Sequence, residues 1–303
     1  MSLNAHLESL RELLYARPSR WDWDALVRLL ERWRQDSPQT LEQGLNYACD
    51  HLDDAWPDAW RRVEVRDPHK LATALSRASW PLVRHLSVFE CTAEARVPER
   101  LVQTKALASI TRLELSCRQP EPRLGALWRS PDLGSLTQLV LRGAVGSRDA
   151  IEAMEAASMP ALEMLDLYSN ARLGDGGVLC LLAAPASRGL TSLDLGRCGV
   201  GSGCMIGFSD YGPHHLKRLS MRGNRLTDTD AGLLARGLAT RRLEELDLSH
   251  NNMTVVGLEA LLGPNALPSI RRLGFAGHGV SQREVQRILG RRPDASNVRV
   301  VLD

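Results

Sequence analysis

A nine-residue pattern repeats eight times along the chain, and it constrains the fold more than any other feature. The pattern has apolar residues, mostly leucine, at positions 1, 4 and 6, and its clearest copies have Asn or Cys at position 9. Successive copies begin 27, 26, 26, 28, 26, 27 and 27 residues apart. Their first residues are Val83, Ile110, Leu136, Leu162, Leu190, Leu216, Leu243 and Ile270. A repeat of this length and regularity predicts a solenoid of stacked supersecondary units.

Each copy has the pattern of a short strand that is followed by a helix. Because side chains alternate between the two faces of a strand, positions 4 and 6 are predicted to point into a core and positions 3, 5 and 7 toward solvent. The segments between copies have apolar residues at helical spacing, as in residues 230–238. The sequence therefore predicts an α/β horseshoe solenoid, with a parallel sheet on its concave face and helices on its convex face.

Two of the intervening segments are predicted to depart from regular helix. Residues 118–135 contain three prolines, so any helix there must be short. Residues 199–215 are too rich in glycine for a regular helix. Near the end of the chain, Ser281 and Glu284 have the spacing of a capping box, which predicts the start of a helix.

Position 9 is predicted to stabilise the turn that leaves each strand. A buried asparagine amide can bond main-chain groups that would otherwise be unpaired, and Asn170, Asn224 and Asn251 fit this role. Two small thiols fill the same position at Cys91 and Cys198. Ala144 and His278 depart from the pattern at this position, and we expect looser turns there.

The segments before and after the repeats differ from them. Residues 1–80 contain no copy of the pattern, hold six of the seven tryptophans and have four stretches with helical spacing, separated by prolines. We therefore expect an all-α cap or companion domain over residues 1–80 and the repeat domain over residues 81–303. Val298, Val300 and Leu302 alternate along the last seven residues, which predicts a capping strand at the C-terminal end of the sheet.

Two stretches of the chain resemble a known class of repeat protein. They are LSMRGNRLTDTDAGLLARGLA, which begins at Leu219, and LDLSHNNMTVVGLEALL, which begins at Leu246. Both are similar to the ribonuclease-inhibitor-like class of leucine-rich repeats, and the similarity covers about residues 80–303. The resemblance implies a horseshoe, and repeats of this class carry many unrelated binding roles. The helices of residues 1–80 resemble those that precede such repeats in some bacterial proteins, without sharing a specific motif.

The solvent-facing strand positions supply the candidate binding residues. Partners usually lie on the concave surface of a solenoid, and aromatic side chains beside arginine are frequent in interface hot spots. The residues selected on this basis are Phe89, Arg112, Arg142, Met164, Asp166, Tyr168, Asp194, Arg218, Arg222 and Asp247. The aspartates have an alternative interpretation, in which they belong to the repeat pattern and pair with arginines on neighbouring strands.

Composition and the remaining motifs argue against several other functions. A formal net charge of +2 gives no strong attraction to nucleic acid or to an anionic membrane, and no segment is apolar over the roughly 18 residues of a membrane span. The glycine-rich segment between Cys198 and Cys204 lacks the lysine or aspartate of a phosphate-binding fingerprint. His214 and His215 are adjacent and cannot easily bind one metal together. We expect no cofactor, no metal, no nucleic acid and no membrane partner.

The leading hypothesis is a non-enzymatic interaction module that binds a protein partner through the concave face of the repeats. We expect a cytoplasmic location, because the first residues lack the basic and apolar regions of a signal peptide. Two of the six cysteines occupy inward positions of the repeat, which favours reduced thiols.

Two alternatives remain open. In the first, the chain is a structural or regulatory subunit that contacts its partner through the N-terminal helices, where Trp56 and Trp60 are the tryptophans expected to be exposed. In the second, the N-terminal segment has an enzyme activity, although it contains no recognisable catalytic motif. The polar residues available for such an activity are His6, His51, His69, Asp50, Asp53 and Asp54.

Overall fold

The leucines of the repeated pattern form a continuous row through the core. The computed structural model describes residues 2–15, 19–120, 124–146, 151–152, 154, 157–239, 242–263, 266–292 and 295–302. Position 4 of each copy lies in register with position 4 of the next, from Leu86 to Leu273. These leucines are at most 2% exposed. Burial of alternate strand residues therefore holds the repeats together, as the pattern predicts.

Ten strands of the described residues form one parallel sheet in chain order. They are β1 Arg62–Val65, β2 His85–Cys91, β3 Arg112–Cys117, β4 Gln138–Arg142, β5 Met164–Asp166, β6 Ser192–Asp194, β7 Arg218–Ser220, β8 Glu245–Asp247, β9 Arg272–Gly274 and β10 Arg299–Val301. β10 pairs with β9, which confirms the predicted C-terminal capping strand. With helices between its strands, this sheet confirms the predicted α/β horseshoe solenoid.

Helices precede the sheet and connect most of its strands. Those of the described residues are α1 Leu3–Tyr15, α2 Arg20–Asp36, α3 Leu41–Ala55, α4 Leu71–Leu75, α5 Val97–Gln103, α6 Leu124–Trp128, α7 Gly174–Ala183, α8 Met205–Asp210, α9 Asp228–Gly237, α10 Val255–Leu262 and α11 Gln282–Leu289. The first three lie before β1, and α7 to α11 each follow one strand of the repeat domain.

The two segments expected to lack a regular helix differ in outcome. α6 has only five residues, as the prolines predicted. The glycine-rich segment forms α8, a helix of six residues, so the prediction is wrong there. A Cβ on Gly207 would lie 2.7 Å from Cδ2 of Leu179, so this glycine lets α8 pack closely against α7. At α11, Ser281 and Glu284 form the predicted capping box.

The asparagines at position 9 link neighbouring repeats through their side chains. The amide nitrogens of Asn170, Asn224 and Asn251 each donate to a main-chain carbonyl of their own repeat and to one of the preceding repeat. Each amide oxygen accepts at least one backbone N–H from the preceding repeat. All three residues are buried, so the predicted role of position 9 is confirmed.

His278 takes the place of this asparagine in its repeat. Its Nδ1 lies 3.0 Å from the carbonyl oxygen of Phe275, and its Nε2 accepts the N–H of Asn251 at 3.2 Å. A neutral ring with its proton on Nδ1 satisfies both contacts. The expectation of a looser turn is therefore wrong at His278, because an imidazole can donate and accept as the amide does.

Acidification should weaken the last repeat through His278. Burial lowers the pKa of His278 below its ordinary value, and His250 adds to the effect. As pH falls below about 6.5, the unfolded chain takes up a proton before the folded chain does, so stability that is present at neutral pH is lost. We expect the urea midpoint to fall between about pH 7.5 and about pH 5.5 more steeply in the wild type than in a His278→Asn variant. Identical pH dependences would contradict this role of His278.

The N-terminal helices continue directly into the sheet. The side chains of Leu26, Leu30 and Trp33, on α2, are fully buried. β1 lies within residues 1–80 and pairs with β2, although its sequence RVEV lacks the leucines of the pattern and was not anticipated as a strand. The last of the four stretches with helical spacing forms the five-residue α4 between two 3₁₀ turns. The domain division at residue 80 stays a prediction.

A buried arginine connects the helices to the first repeat. Arg61 is fully buried, and its Nε donates to the carbonyl of Leu82 at 2.9 Å. Its Nη1 pairs with Asp53 of α3, which also accepts a hydrogen bond of 3.0 Å from Nη2 of Arg84. Asp53 thus neutralises a buried guanidinium and fixes α3 against the sheet.

Candidate functional site

The ten selected residues occupy three columns of the concave face. Position 3 of the strands carries Arg112, Met164 and Arg218, and position 5 carries Asp166, Asp194 and Asp247. The remaining four, at position 7, are Phe89, Arg142, Tyr168 and Arg222. The columns run from β2 to β8, so the structure brings these residues together as neighbours along a surface and not as one compact cluster.

The aspartates of position 5 stabilise the ends of their own strands. Oδ1 of each accepts the backbone N–H of the residue two positions later, at 2.8 Å for Asp166, 2.7 Å for Asp194 and 2.9 Å for Asp247. Burial raises the pKa of Asp194 above its ordinary value. These bonds support the alternative interpretation, that the aspartates belong to the repeat pattern. Each carboxylate nevertheless has a second oxygen that the main chain does not use in these contacts.

The N-terminal half of the concave face, from β1 to β5, is internally paired. Nη2 and Nε of Arg142 donate to Oδ2 of Asp166 at 2.7 and 3.0 Å. Nη1 of Arg112 donates to Gln138 at 2.6 Å, and Oγ of Ser87 donates to Glu114 at 3.2 Å. These polar groups therefore bond one another across strands, and a partner would have to compete with these bonds.

The C-terminal half holds a depression of about 380 Å³, which we call the C-terminal depression. Its charged lining residues are Asp194, Arg218, Arg222, Glu245, Asp247 and Arg272. Arg218, Glu245 and Arg272 are consecutive register partners on β7, β8 and β9. All three are exposed, and in the described part of the chain no ion pair joins them to each other.

Sequence reasoning missed two charged residues of this depression and a histidine that contacts one of its arginines. Glu245 and Arg272 are position-3 residues whose importance lies in their register with Arg218. His250 follows position 7, and its Nε2 lies 3.0 Å from Nη2 of Arg222. Its backbone has a φ of +58°, a left-handed conformation that the leucine pattern does not indicate. The register column could have identified the first two, because the repeat spacing already aligned them.

The tryptophans expected to be exposed differ in their surroundings. Trp56 is 3% exposed and packs in the core at the end of α3, so the expectation of exposure is wrong for it. Trp60 is partly exposed and lines a cleft of about 350 Å³ with Trp23, Asp24, Arg62 and Glu64. The most exposed tryptophan is one that the sequence did not single out, at the start of α2. It is Trp21, with 81% of its surface exposed.

The polar residues considered for an enzyme have separate surroundings. His6 is buried and stacks on Trp33, with ring centroids 4.8 Å apart. His51 contacts Tyr15 and Tyr47. Asp53 has the structural role described above. The others are the exposed Asp50 and His69 and the side chain of Asp54, which lies outside the part that the structure describes.

Two further motifs have structural explanations. The backbone N–H groups of Gly201 and Gly203, in the glycine-rich segment, donate to the carboxylate of Asp175 at 2.7 and 3.1 Å. The amides that could have bound a phosphate are therefore occupied by a side chain of the preceding repeat. His214 and His215 are both exposed. Within the described ranges, no three His, Cys, Asp or Glu side chains are grouped so that they could hold a metal ion.

None of the helices that the structure describes is both long and apolar enough to cross a membrane.

Comparisons with known proteins concern the repeats and the fold. A family model described as Leucine Rich repeat matches residues 212–235 and 241–262, which contain β7 and β8. No curated protein sequence matches the chain. Among solved structures, the chain is similar to one in the yeast complex of Rad7 and Elc1. That similarity has a TM-score of 0.52 and 15% identity, and covers 99% of this chain and 88% of that chain.

Two other solved structures have lower scores. An internalin of Listeria monocytogenes gives a TM-score of 0.44 at 14% identity, over 78% of this chain and 77% of that chain. A chain of the Drosophila Toll–Spatzle complex gives 0.43 at 12% identity, over 72% of this chain and 30% of that chain. At such identities the yeast structure bears on the fold alone. Together, the two matched repeats and the ten-stranded parallel sheet show that this chain folds as a leucine-rich-repeat solenoid.

Proposed function

We propose that the chain is a non-enzymatic interaction module that binds a protein partner through its concave face, with the C-terminal depression at the centre of the contact. The contrast between the two halves of that face carries the proposal. Arg142 and Arg112 donate short hydrogen bonds to neighbouring side chains, at 2.7 and 2.6 Å. Arg218, Glu245 and Arg272 instead stand exposed in a row. Nε of Arg218 has a long hydrogen bond of 3.5 Å to Ser192. The strands fix the spacing of these charges, and a partner surface with the opposite charges at the same spacing would complement them.

The mixed charge of the C-terminal depression favours a protein over a nucleic acid as the partner. Three arginines and three carboxylates line it. A nucleic acid presents phosphates of one sign, and three carboxylates would repel them. A protein surface can offer acidic groups to the arginines and a basic group to Glu245. The similar yeast structure is itself a complex of Rad7 with another protein, Elc1.

Reversal of two charges in the C-terminal depression should weaken partner binding. The double variant Arg218→Glu and Arg272→Glu replaces both cations beside Glu245, and we expect the dissociation constant to rise at least about tenfold. The partner is first isolated by co-purification with the tagged full-length chain from its native cells, and its affinity for each variant is then measured by titration.

A control variant separates a local effect from a change of net charge. Arg236 on α9 and Arg283 on α11 are both exposed, and the double variant Arg236→Glu and Arg283→Glu has the same net charge as the first. It should bind like the wild type. If both double variants lose affinity equally, or neither does, the C-terminal depression is not the contact surface.

A second candidate function places the contact on the N-terminal helices, as in a structural or regulatory subunit. The exposure of Trp21 and the cleft beside Trp60 favour it, since tryptophan is enriched at interfaces. A Trp21→Ala variant distinguishes the two possibilities. Loss of binding in this variant, with full binding in the variant of Arg218 and Arg272, would place the partner on the helices.

We further infer a ribonuclease-inhibitor-like class of repeat and a cytoplasmic, bacterial protein. The class is supported by the helices α7, α9, α10 and α11, which have 8 to 10 residues each. Buried thiols at Cys198 and Cys204 suit a reducing compartment. Only three of the 38 cationic residues are lysine, a bias that GC-rich bacterial genomes favour. We propose no cofactor, metal, nucleic-acid or membrane partner.

A further inference from the structure

Two cysteines on neighbouring strands are register partners. Cys91 is the last residue of β2, Cys117 is the last residue of β3, and the two are paired across these parallel strands. Neighbouring strands lie about 4.8 Å apart, which falls within the range of about 4.4–6.8 Å that a disulfide spans between Cα atoms. Both residues carry reduced thiols in this structure.

Both side chains are directed to the inner side of the sheet. Along β3, Leu113 and Leu115 are buried, and the alternation of the strand directs Cys117 the same way. β2 has an irregularity between Val88 and Cys91, where the backbone turns through a φ of +53° at Glu90. This bulge returns Cys91 to the inner side, where it is 2% exposed.

We propose that oxidation joins Cys91 and Cys117 in a disulfide, which makes the junction of the first two repeats a redox-sensitive link. Hydrogen peroxide serves as the oxidant. The thiolate of Cys117, which is half-buried and thus the more accessible, attacks one peroxide oxygen, so that the O–O bond breaks and a sulfenic acid and hydroxide form. The thiolate of Cys91 then attacks this sulfur, the S–S bond forms and the S–O bond breaks. The two thiol protons convert the two departing hydroxides into water.

The link acts close to the concave face. Phe89 lies in the irregular part of β2, two residues before Cys91, and its side chain belongs to the position-7 column. A covalent bond from Cys91 to β3 holds the end of this strand in one arrangement. Oxidation therefore fixes the rim of the first repeat without touching the C-terminal depression.

The fully buried cysteines in the middle of the solenoid lack this arrangement. Burial raises the pKa of Cys198 to about 12, so its reactive thiolate is scarce at neutral pH. The residues at the same position of the neighbouring repeats are Asn170 and Asn224, which offer no thiol. Burial likewise raises the pKa of Cys204. These thiols therefore serve as internal controls, because we expect hydrogen peroxide to leave them unlinked.

Peptide mapping of the oxidised full-length chain tests the proposal. The chain is treated with hydrogen peroxide, its remaining thiols are blocked with N-ethylmaleimide, and it is digested with trypsin without reduction. We expect one linked pair of peptides, residues 85–96 and 113–118, that separates on addition of dithiothreitol. The oxidised wild type should also unfold on the order of 5 °C higher than the reduced chain.

Two variants make the test selective. Cys117→Ser changes a half-buried residue and should abolish both the linked peptides and the thermal shift. Cys180→Ser changes another half-buried thiol and should retain both. Recovery of Cys117 as a sulfinic acid without linked peptides would overturn the proposal. A different cysteine pair, or a link between two molecules, would overturn it as well.

Discussion

Replacement of Asn224 by alanine should lower the free energy of unfolding by about 3–5 kcal/mol. The amide oxygen of Asn224 accepts the N–H groups of Cys198 and Val200, each at 3.0 Å. Its amide nitrogen donates to the carbonyls of Leu195 at 2.9 Å and Met221 at 2.8 Å. Alanine leaves three of these buried main-chain groups without their partner, since the carbonyl of Met221 keeps its hydrogen bond from Asn251. Each orphaned group costs on the order of 1 kcal/mol or more. Urea unfolding followed by circular dichroism measures the loss.

The matched control for this prediction is Asn252→Ala. Asn252 is exposed, and its bond to Leu226 uses its backbone N–H, which alanine retains. We expect a change within about 0.5 kcal/mol, as for most surface substitutions. Equal losses in the two variants would mean that general effects of asparagine removal, and not the contacts between repeats, set the stability of the solenoid.

The sequence predicted the repeat architecture because the determinants of that architecture are local. The alternation of leucine specifies which side of a strand is buried, and the position-9 amide bonds main-chain groups only one repeat away. β1 escaped prediction because its place in the sheet depends on pairing with β2, and its own four residues lack leucine. The burial of Trp56 was equally unpredictable, since a helical pattern does not specify which neighbouring element covers each face.

For the candidate site, the sequence predicted the face on which each residue lies better than the bonds that its side chain forms. Repeat spacing alone placed Arg142 and Arg218 on the same face of the sheet. Their difference arises from their neighbours. Asp166, on the adjacent strand β5, accepts two hydrogen bonds from Arg142. The register partner of Arg218 on β8 is Glu245, and among the described residues no ion pair joins these two. Register could be derived from the spacing, but the side-chain conformations that decide such pairing could not.

The leucine pattern does not indicate the left-handed backbone turn at position 8. In the described residues, seven of the eight copies have a positive φ at this position. They are Glu90, Gly143, Ser169, Arg197, Gly223, His250 and Gly277. Only three of these are glycine, so composition gives no clue to the left-handed turn. The exception is Cys117, which occupies position 8 of its copy but remains part of strand β3.

Because Cys117 keeps an extended backbone, we expect Gly143→Ala to lower the free energy of unfolding far more than Gly223→Ala does. A Cβ on Gly143 would lie 2.4 Å from the carbonyl oxygen of Cys117, a backbone atom that the extended end of β3 holds in place. A Cβ on Gly223 would instead approach the Arg197 side chain, with Cγ the nearest atom at 3.0 Å. We expect Gly143→Ala to cost about 2–4 kcal/mol from the left-handed backbone and the clash together. Gly223→Ala should cost about 1 kcal/mol, because the arginine side chain can move.

The comparison isolates the carbonyl contact because the two glycines have nearly the same backbone conformation. Their φ angles are +63° for Gly143 and +67° for Gly223, so the strain of placing alanine in a left-handed turn cancels in the difference between the two variants. The remainder, about 1–3 kcal/mol in urea unfolding, measures the clash with Cys117. If the two losses were equal, β3 would have to relax at its end and let Cys117 adopt the left-handed turn of the other repeats. Hydrogen exchange at the backbone N–H groups around Cys117 would then increase in the Gly143→Ala variant, because the strand end would no longer be held in the sheet.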